Sequence, residues 1–447
     1  MLYSKRLGRR NQLDLRGYIM TEQEKLFELL HASVTPFMCV EACEKRLKEA
    51  GFESIRYEDA WHLVPGGKYI MKHHDSTMFA FTIGSEYKTL DSIRIGAAHT
   101  DHPCFRIKRN PDFQSNGYAQ VNIETYGAPI LNTWLDRPLG VGGRVALRGE
   151  NPMEPKMVLY RSKKPLMTIP NLAIHLDLQI NKGKELNRQI DMMPIFDMVS
   201  EEYKSDKYFM SFLAKELDVK EEDILDYELS IYLMEEPMYI GAEDTFISSP
   251  ALDNQTSVAA LLSAIIDGER KDGINMIALF DHEEVGSKSK QGAGSILLHN
   301  MMLRMLKNLG ATPEEASRMY YQTILLSLDV AHGVHPNHPE KMDITNKPIL
   351  GKGICIKQAC MQTYATDSQA TAIVCQLCDE NHIPYQRFMN RSDERGGGTL
   401  GAICSAQTAI RTIDIGIPIL AMHSSRELMA AKDIDALKNL TTAFFAC

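Results

Sequence analysis

Apolar, strand-like runs that end in histidine or carboxylate constrain this chain more than any other feature. From Phe246 onward, helix-period and strand-period segments alternate. The pattern predicts helices over 256–267, 293–308 and 367–381 and strands over 274–281, 323–329, 353–358, 385–389 and 412–415, then a C-terminal helix. Such alternation folds as a sheet with helices on its faces. The expectation is therefore an α/β fold with a mixed central sheet sandwiched by helices.

The chemistry-bearing residues cluster in patches far apart in sequence. IGAAHTDHPC carries His99 and Asp101, and SSPALDNQTS carries Asp253 at the opening of a helix. INMIALFDHEEVGS carries Asp281, His282 and the pair Glu283–Glu284, and ILLSLDVAHGVHPN carries Asp329, His332 and His335. IGIPILAMHSSRE adds His423 near the end. Three of the first four patches directly follow an apolar strand, where open α/β sheets place their ligand crevice. Taken singly, each patch also reads as a surface histidine, a solvated acidic face or a helix cap. Taken together, they supply the mixed nitrogen and oxygen donors that suit a pair of zinc-like ions. In His99-Thr-Asp101, the carboxylate can accept from the second ring nitrogen and fix the tautomer.

Ahead of these patches, Thr21 to Ala50 reads as two helices broken at Thr35–Pro36, opened by the capping box Thr21-x-x-Glu24 and closed at Gly51. Strands follow at 68–72, 77–83 and 92–98. Beyond about residue 105, Pro and Gly become frequent and the texture turns β-rich, including an apolar strand-like run from Leu172 to Leu178. The expected division is a discontinuous catalytic domain over 21–105 and 240–447, with 106–239 inserted into it. Residues 1–20, with Lys5, Arg6, Arg9, Arg10 and Arg16 against Asp14, read as a disordered basic tail.

Charge and cysteine usage narrow the function classes. A net charge of −9 without a dominant basic patch argues against nucleic acid as a partner. The apolar stretch Val258 to Ile266 is far short of the ~18 residues a membrane span needs, so no membrane partner is expected. Nine irregularly spaced cysteines fit a reducing, cytoplasmic setting better than a disulfide scaffold. Cys375-x-x-Cys378 falls on one apolar helix face and reads as core packing ahead of a thiol or metal role.

The strings AAHTDHPCFRIK, WLDRPLG, NLAIHL, SPALDNQTS, DHEEVGS, DVAHGVHPN, YATD and DIGIPILAMHSSRE, in this order, closely resemble the aspartyl aminopeptidase family. The resemblance runs from about Thr21 to the C-terminus. It implies a dinuclear zinc exopeptidase with two zinc ions per subunit, for which cobalt or manganese can substitute. His99, Asp253 and Asp329 would hold one ion and Asp253, Glu284 and His423 the other, with Glu283 as general base and Asp101 orienting His99. His175 of NLAIHL matches a substrate-facing histidine delivered from a neighbouring subunit, and Lys357 a lysine linked to an acidic substrate side chain. His332 and His335 read equally as contacts beside the ligands or as structural hydrogen bonders, and His335 is carried as a substrate-side candidate. His102 and Met361 stand where the family more often has Ser and a polar or basic residue.

The expected activity is removal of an N-terminal Asp or Glu from peptides with a free N-terminus. The expected assembly is a homo-oligomer, by resemblance a dodecamer, with the insert serving oligomerisation and substrate gating. The rivals are dinuclear zinc hydrolases of other specificity (a neutral or basic aminopeptidase, a carboxypeptidase, a deacylase) and a non-catalytic metal-stabilised scaffold.

Overall fold

The computed structural model describes residues 20–199, 207–394 and 396–447, so the basic tail over 1–19 lies outside the described residues. The chain enters through helix Glu22–Ala32, where Thr21 and Glu24 form the capping box read from the sequence. Pro36 opens the second helix, Pro36–Glu49, and Gly51 beyond it adopts φ 86°.

A nine-stranded mixed sheet forms the centre. Its order is Glu53–Ile55, Lys68–His73, Thr77–Ile83, Ile274–Phe280, Ile93–His99, Ile324–Leu328, Arg411–Gly416, Ile354–Lys357 and Tyr385–Phe388. The four middle strands, from Ile274–Phe280 to Arg411–Gly416, run parallel. Both faces are covered, which is why Ile274–Phe280 reads as an unbroken apolar run with every residue buried. Its Ile274, Met276, Ala278 and Phe280 face one core, with helices Leu297–Asn308, Pro313–Gln322 and Leu400–Thr408. Ile277 and Leu279 face the other, with helices Glu22–Ala32, Leu252–Asp267, Ser368–Glu380 and Asp433–Ala446. Cys378 is buried in that second core and Cys375 packs against it, as core residues do.

A six-stranded antiparallel sheet draws all its strands from Cys104 to Leu233, in the order Lys156–Arg161, Leu139–Leu147, Ile224–Leu233, Cys104–Ser115, Tyr118–Tyr126 and Ile195–Met198. It has its own core around Phe105, Val121, Val141, Phe209 and Ile231. A third sheet joins Met238–Ile240, Phe246–Ser249, Glu427–Ala430, Pro418–Leu420 and Ala331–His332.

One expectation is corrected, and helices Pro313–Gln322 and Leu400–Thr408 stand where none was read. The run from Leu172 to Leu178 is a series of turns rather than a strand, and its Leu172, Ile174, Leu176 and Leu178 are exposed. An alternating apolar stripe becomes a strand only beside another strand, and none of the described strands pairs with it. Helix Pro313–Gln322 was not expected, although Thr312, Pro313 and Glu315 spell a helix start, with a capping box in place. Among the described residues no helix is long and apolar enough to cross a membrane.

Candidate metal centre

Because strands Ile274–Phe280, Ile93–His99 and Ile324–Leu328 are parallel neighbours, their carboxyl ends open at one edge of the sheet. His99 closes its own strand, Asp329 follows Leu328 directly, and Glu283–Glu284 form a short 3-10 turn after Phe280. The third sheet brings the remaining groups. Asp253 comes just after Phe246–Ser249, and His423 sits between Pro418–Leu420 and Glu427–Ala430. Ala251, His282 and His423 adopt left-handed φ of 54°, 63° and 66°, which turns these loops sharply back toward the strand ends.

The side chains converge. His99, Asp253 and Asp329 offer atoms all within 4.8 Å of one another, and so do Asp253, Glu284 and His423; a third grouping joins His99 to Glu283 and Glu284. His99 Nε2 lies 3.3 Å from Asp253 Oδ1 and 3.7 Å from Asp329 Oδ1. His423 Nε2 lies 3.5 Å from Asp253 Oδ2 and 3.4 Å from Glu284 Oε2. Asp253 thus turns one oxygen toward each set. Its buried Oδ1 accepts no hydrogen bond, an orphaned acceptor in the midst of two imidazoles and further carboxylates. Such a donor set fits divalent zinc.

Asp101 ties the centre together. His99 Nδ1 faces its carbonyl oxygen at 3.0 Å and its Oδ1 at 3.3 Å. The Asp101 carboxylate also accepts from the backbone N–H groups of Glu283 and Glu284, each at 3.2 Å, and from the Tyr126 hydroxyl at 2.6 Å. Burial, then the nearby carboxylates of Asp329, Asp101 and Asp253, push Glu283 up to about 8 against the opposing pull of His99. Glu284 is raised well above the usual range by burial and Asp253. Burial works against a charged His99, yet the carboxylates of Asp101, Asp253 and Asp329 beside its ring raise it well above an ordinary imidazole. Negative groups held this close favour a cation among them.

The other sequence-predicted residues lie differently. Lys357, 1% exposed, donates to the Val330 carbonyl at 3.0 Å and stands 3.7 Å from Asp329 Oδ2, beneath the Tyr364 ring. His335 is exposed outside the cluster and lines an adjoining cavity of about 340 Å³ with His332, His338 and Arg391. His175 lies exposed in the 173–176 turn, outside all three groupings. Met361 is 86% exposed. Two participants were missed. Tyr126 comes from the six-stranded sheet and carries no local signal. Glu427, the final letter of HSSRE, is 2% exposed and accepts from backbone at both Asp253 and His423; a lone acid opening the apolar run LMA was its only mark.

Strand-end imidazoles and carboxylates on a helix-flanked sheet define a metallohydrolase-like crevice. Residues 29–445 match the sequence model of the M18 family, aminopeptidase I zinc metalloprotease, and the chain belongs to that family of zinc metallo-aminopeptidases. It is 43% identical over 410 residues to the "Probable M18 family aminopeptidase 2" of Clostridium novyi (strain NT), covering 92% of this chain and 95% of that one. A chain of the S. cerevisiae mApe1 dodecamer superposes with a TM-score of 0.81 at 25% identity, over 95% of this chain and 96% of that one. The M18 aminopeptidase of Thermotoga maritima shares the fold, with a TM-score of 0.83 at 21% identity over 94% of each chain.

Proposed function

We propose that this aminopeptidase removes an N-terminal Asp or Glu from peptides with a free N-terminus, using two zinc ions per subunit. The observation that supports the two-ion part of the reading is Asp253, whose two oxygens face His99 and His423 separately; the acidic preference rests on the family resemblance and Lys357. His99, Asp253 and Asp329 would hold one ion, and Asp253, Glu284 and His423 the other; cobalt or manganese would satisfy the same donors. When bound, the ions supply Lewis acidity and a lowered pKa for water.

The chain's own residues do the rest. Glu283, at the rim of the cluster, takes the proton of the attacking water and returns it to the leaving amine. Asp101 fixes the His99 ring and, through two backbone N–H groups, the Glu283–Glu284 turn. Lys357 meets the acidic substrate side chain, with His335 on the substrate side of the crevice. His175 stabilises the developing oxyanion from a neighbouring copy within a homo-oligomer, a dodecamer by likeness to mApe1. In this reading 21–105 and 240–447 form the catalytic unit and 106–239 an inserted oligomerisation and gating domain. The nine free cysteines suit a cytoplasmic setting.

The engagement of Lys357 with Asp329 favours a second reading, in which the pocket takes neutral side chains. A panel of aminoacyl-anilides, with free and blocked amines, assayed with each metal, decides between them. Preference for Asp and Glu anilides supports the first reading. Preference for Leu or Lys overturns it, and cleavage of blocked substrates points to a deacylase.

A further inference from the structure

We propose that Glu427 is a positioning residue that clamps the two ligands of the His423 side of the centre by their backbones. The inference rests on the ligand sets proposed above. Glu427 begins strand Glu427–Ala430, paired with Phe246–Ser249 through Ser249. From there its carboxylate reaches two loops at once. Oε2 accepts from the N–H of Asp253 at 2.9 Å, and Oε1 accepts from the N–H of His423 at 2.8 Å. The two loops leave the same end of this antiparallel strand pair. One follows the neighbouring strand, and the other immediately precedes its own.

Each loop needs such a tether. Ala251 and His423 both adopt left-handed backbone, at φ 54° and 66°, a region sparsely populated by non-glycine residues and the more stable for an outside tether. A few residues of slack in either loop would separate Asp253 Oδ2 from His423 Nε2, now 3.5 Å apart. With one oxygen on each N–H, Glu427 fixes that separation from behind, without touching substrate.

The chemistry of the clamp requires a carboxylate. It offers an acceptor at each end, whereas the Gln amide offers one acceptor and one NH2 donor. Glu427→Gln therefore sets an NH2 against one of the two backbone N–H groups while keeping size and shape. Asp carries the same pair of acceptors but is one methylene shorter, so its carboxylate falls short of the two N–H groups.

The test compares wild type, Glu427→Gln and Glu427→Asp as assembled full-length protein. Zinc per subunit is measured against increasing chelator, beside thermal melting in zinc-saturated buffer. Wild type should hold two zinc ions. Both variants should fold and assemble and bind the ion on the His423 side 10–100-fold more weakly, the usual scale for groups that support metal ligands, with a smaller loss at the His99 side, which shares only Asp253. Their kcat should fall at limiting zinc and recover at excess zinc, with KM little changed. Two ions held by Glu427→Gln as tightly as by wild type would overturn the clamp alone. A variant that fails to fold in saturating zinc would also overturn it, by assigning Glu427 to the fold. Fewer than two ions in wild type would instead overturn the ligand sets.

Discussion

Strand Ile274–Phe280 and the segment 172–190 are both rich in apolar residues, and the chain treats them in opposite ways. The strand buries all seven side chains between two helical layers and delivers Glu283 and Glu284 to a fixed place. The segment leaves Leu172, Ile174, Leu176, Leu178 and Ile190 between 50% and 76% exposed, with His175 among them. One region completes its burial within a single chain, and the other does not. Exposed apolar residues, where they join into one large patch, are the kind of surface that partners cover, which is where the proposed neighbouring copy would bear. The candidate metal centre is thus a single-chain construction, whereas the role proposed for His175 depends on a neighbouring copy.

The sharpest break in that contrast is Glu283→Gln. It should lower kcat by about 10²–10⁴-fold, the scale of general-base catalysis, while metal content stays at the wild-type value. Near wild-type turnover would remove Glu283 from the role of base. His175→Ala should cost about 10²–10³-fold, as loss of one oxyanion donor does. Co-expressing His175→Ala with Glu283→Ala separates the two regions directly. Mixed particles contain sites with an intact base and a neighbour's intact histidine, so activity absent from either variant alone should return. No recovery in verified mixed particles would confine His175 to its own chain, or to no site.

The same contrast explains what could be read from sequence. Most of the nine-stranded sheet was legible because its middle strands are apolar and several of its helices keep their period, down to the Thr21 capping box, whereas the short polar edge strand Glu53–Ile55 carries no such signal. The metal-ligand candidates were legible because each ends or follows such a strand or sits in a recognisable motif. The 172–178 run misled because alternation alone does not say whether a partner strand exists. Tyr126 and Glu427 stayed hidden for another reason. Their importance is a matter of reach across the fold, to Asp101 in one case and to two loops in the other, and nothing in their neighbours records it.

Lys357 belongs to the candidate metal centre by position, and its partners pose a choice. Its ammonium is already within 3.7 Å of Asp329 and hydrogen-bonded to Val330. A charged hydrogen bond is worth about 1.5–3 kcal/mol, so Lys357→Ala should lower kcat/KM on Asp and Glu substrates by roughly 10–150-fold. Neutral substrates should lose much less. An equal loss on both would assign Lys357 to holding Asp329 and leave acidic recognition to other groups.

The smallest expected effect on activity lies where the two sheets meet. Tyr126 ends a strand of the six-stranded sheet, is 7% exposed, and donates its hydroxyl to Asp101 Oδ2 at 2.6 Å. Arg106 lies 4.2 Å over its ring, so removing the hydroxyl leaves the aromatic packing in place. In Tyr126→Phe, Asp101 keeps the N–H groups of Glu283 and Glu284, and the His99 ring keeps the Asp101 carbonyl at 3.0 Å. The lost hydrogen bond to a buried carboxylate should lower stability by about 1.5–3 kcal/mol. The His99 geometry should survive, and kcat should fall by less than about 10-fold, or 1.4 kcal/mol. Denaturant melts and steady-state kinetics on the same preparation separate the two effects. A kcat loss as large as that of Glu283→Gln would mean that the six-stranded sheet does more than brace the centre, and that Tyr126 acts on substrate.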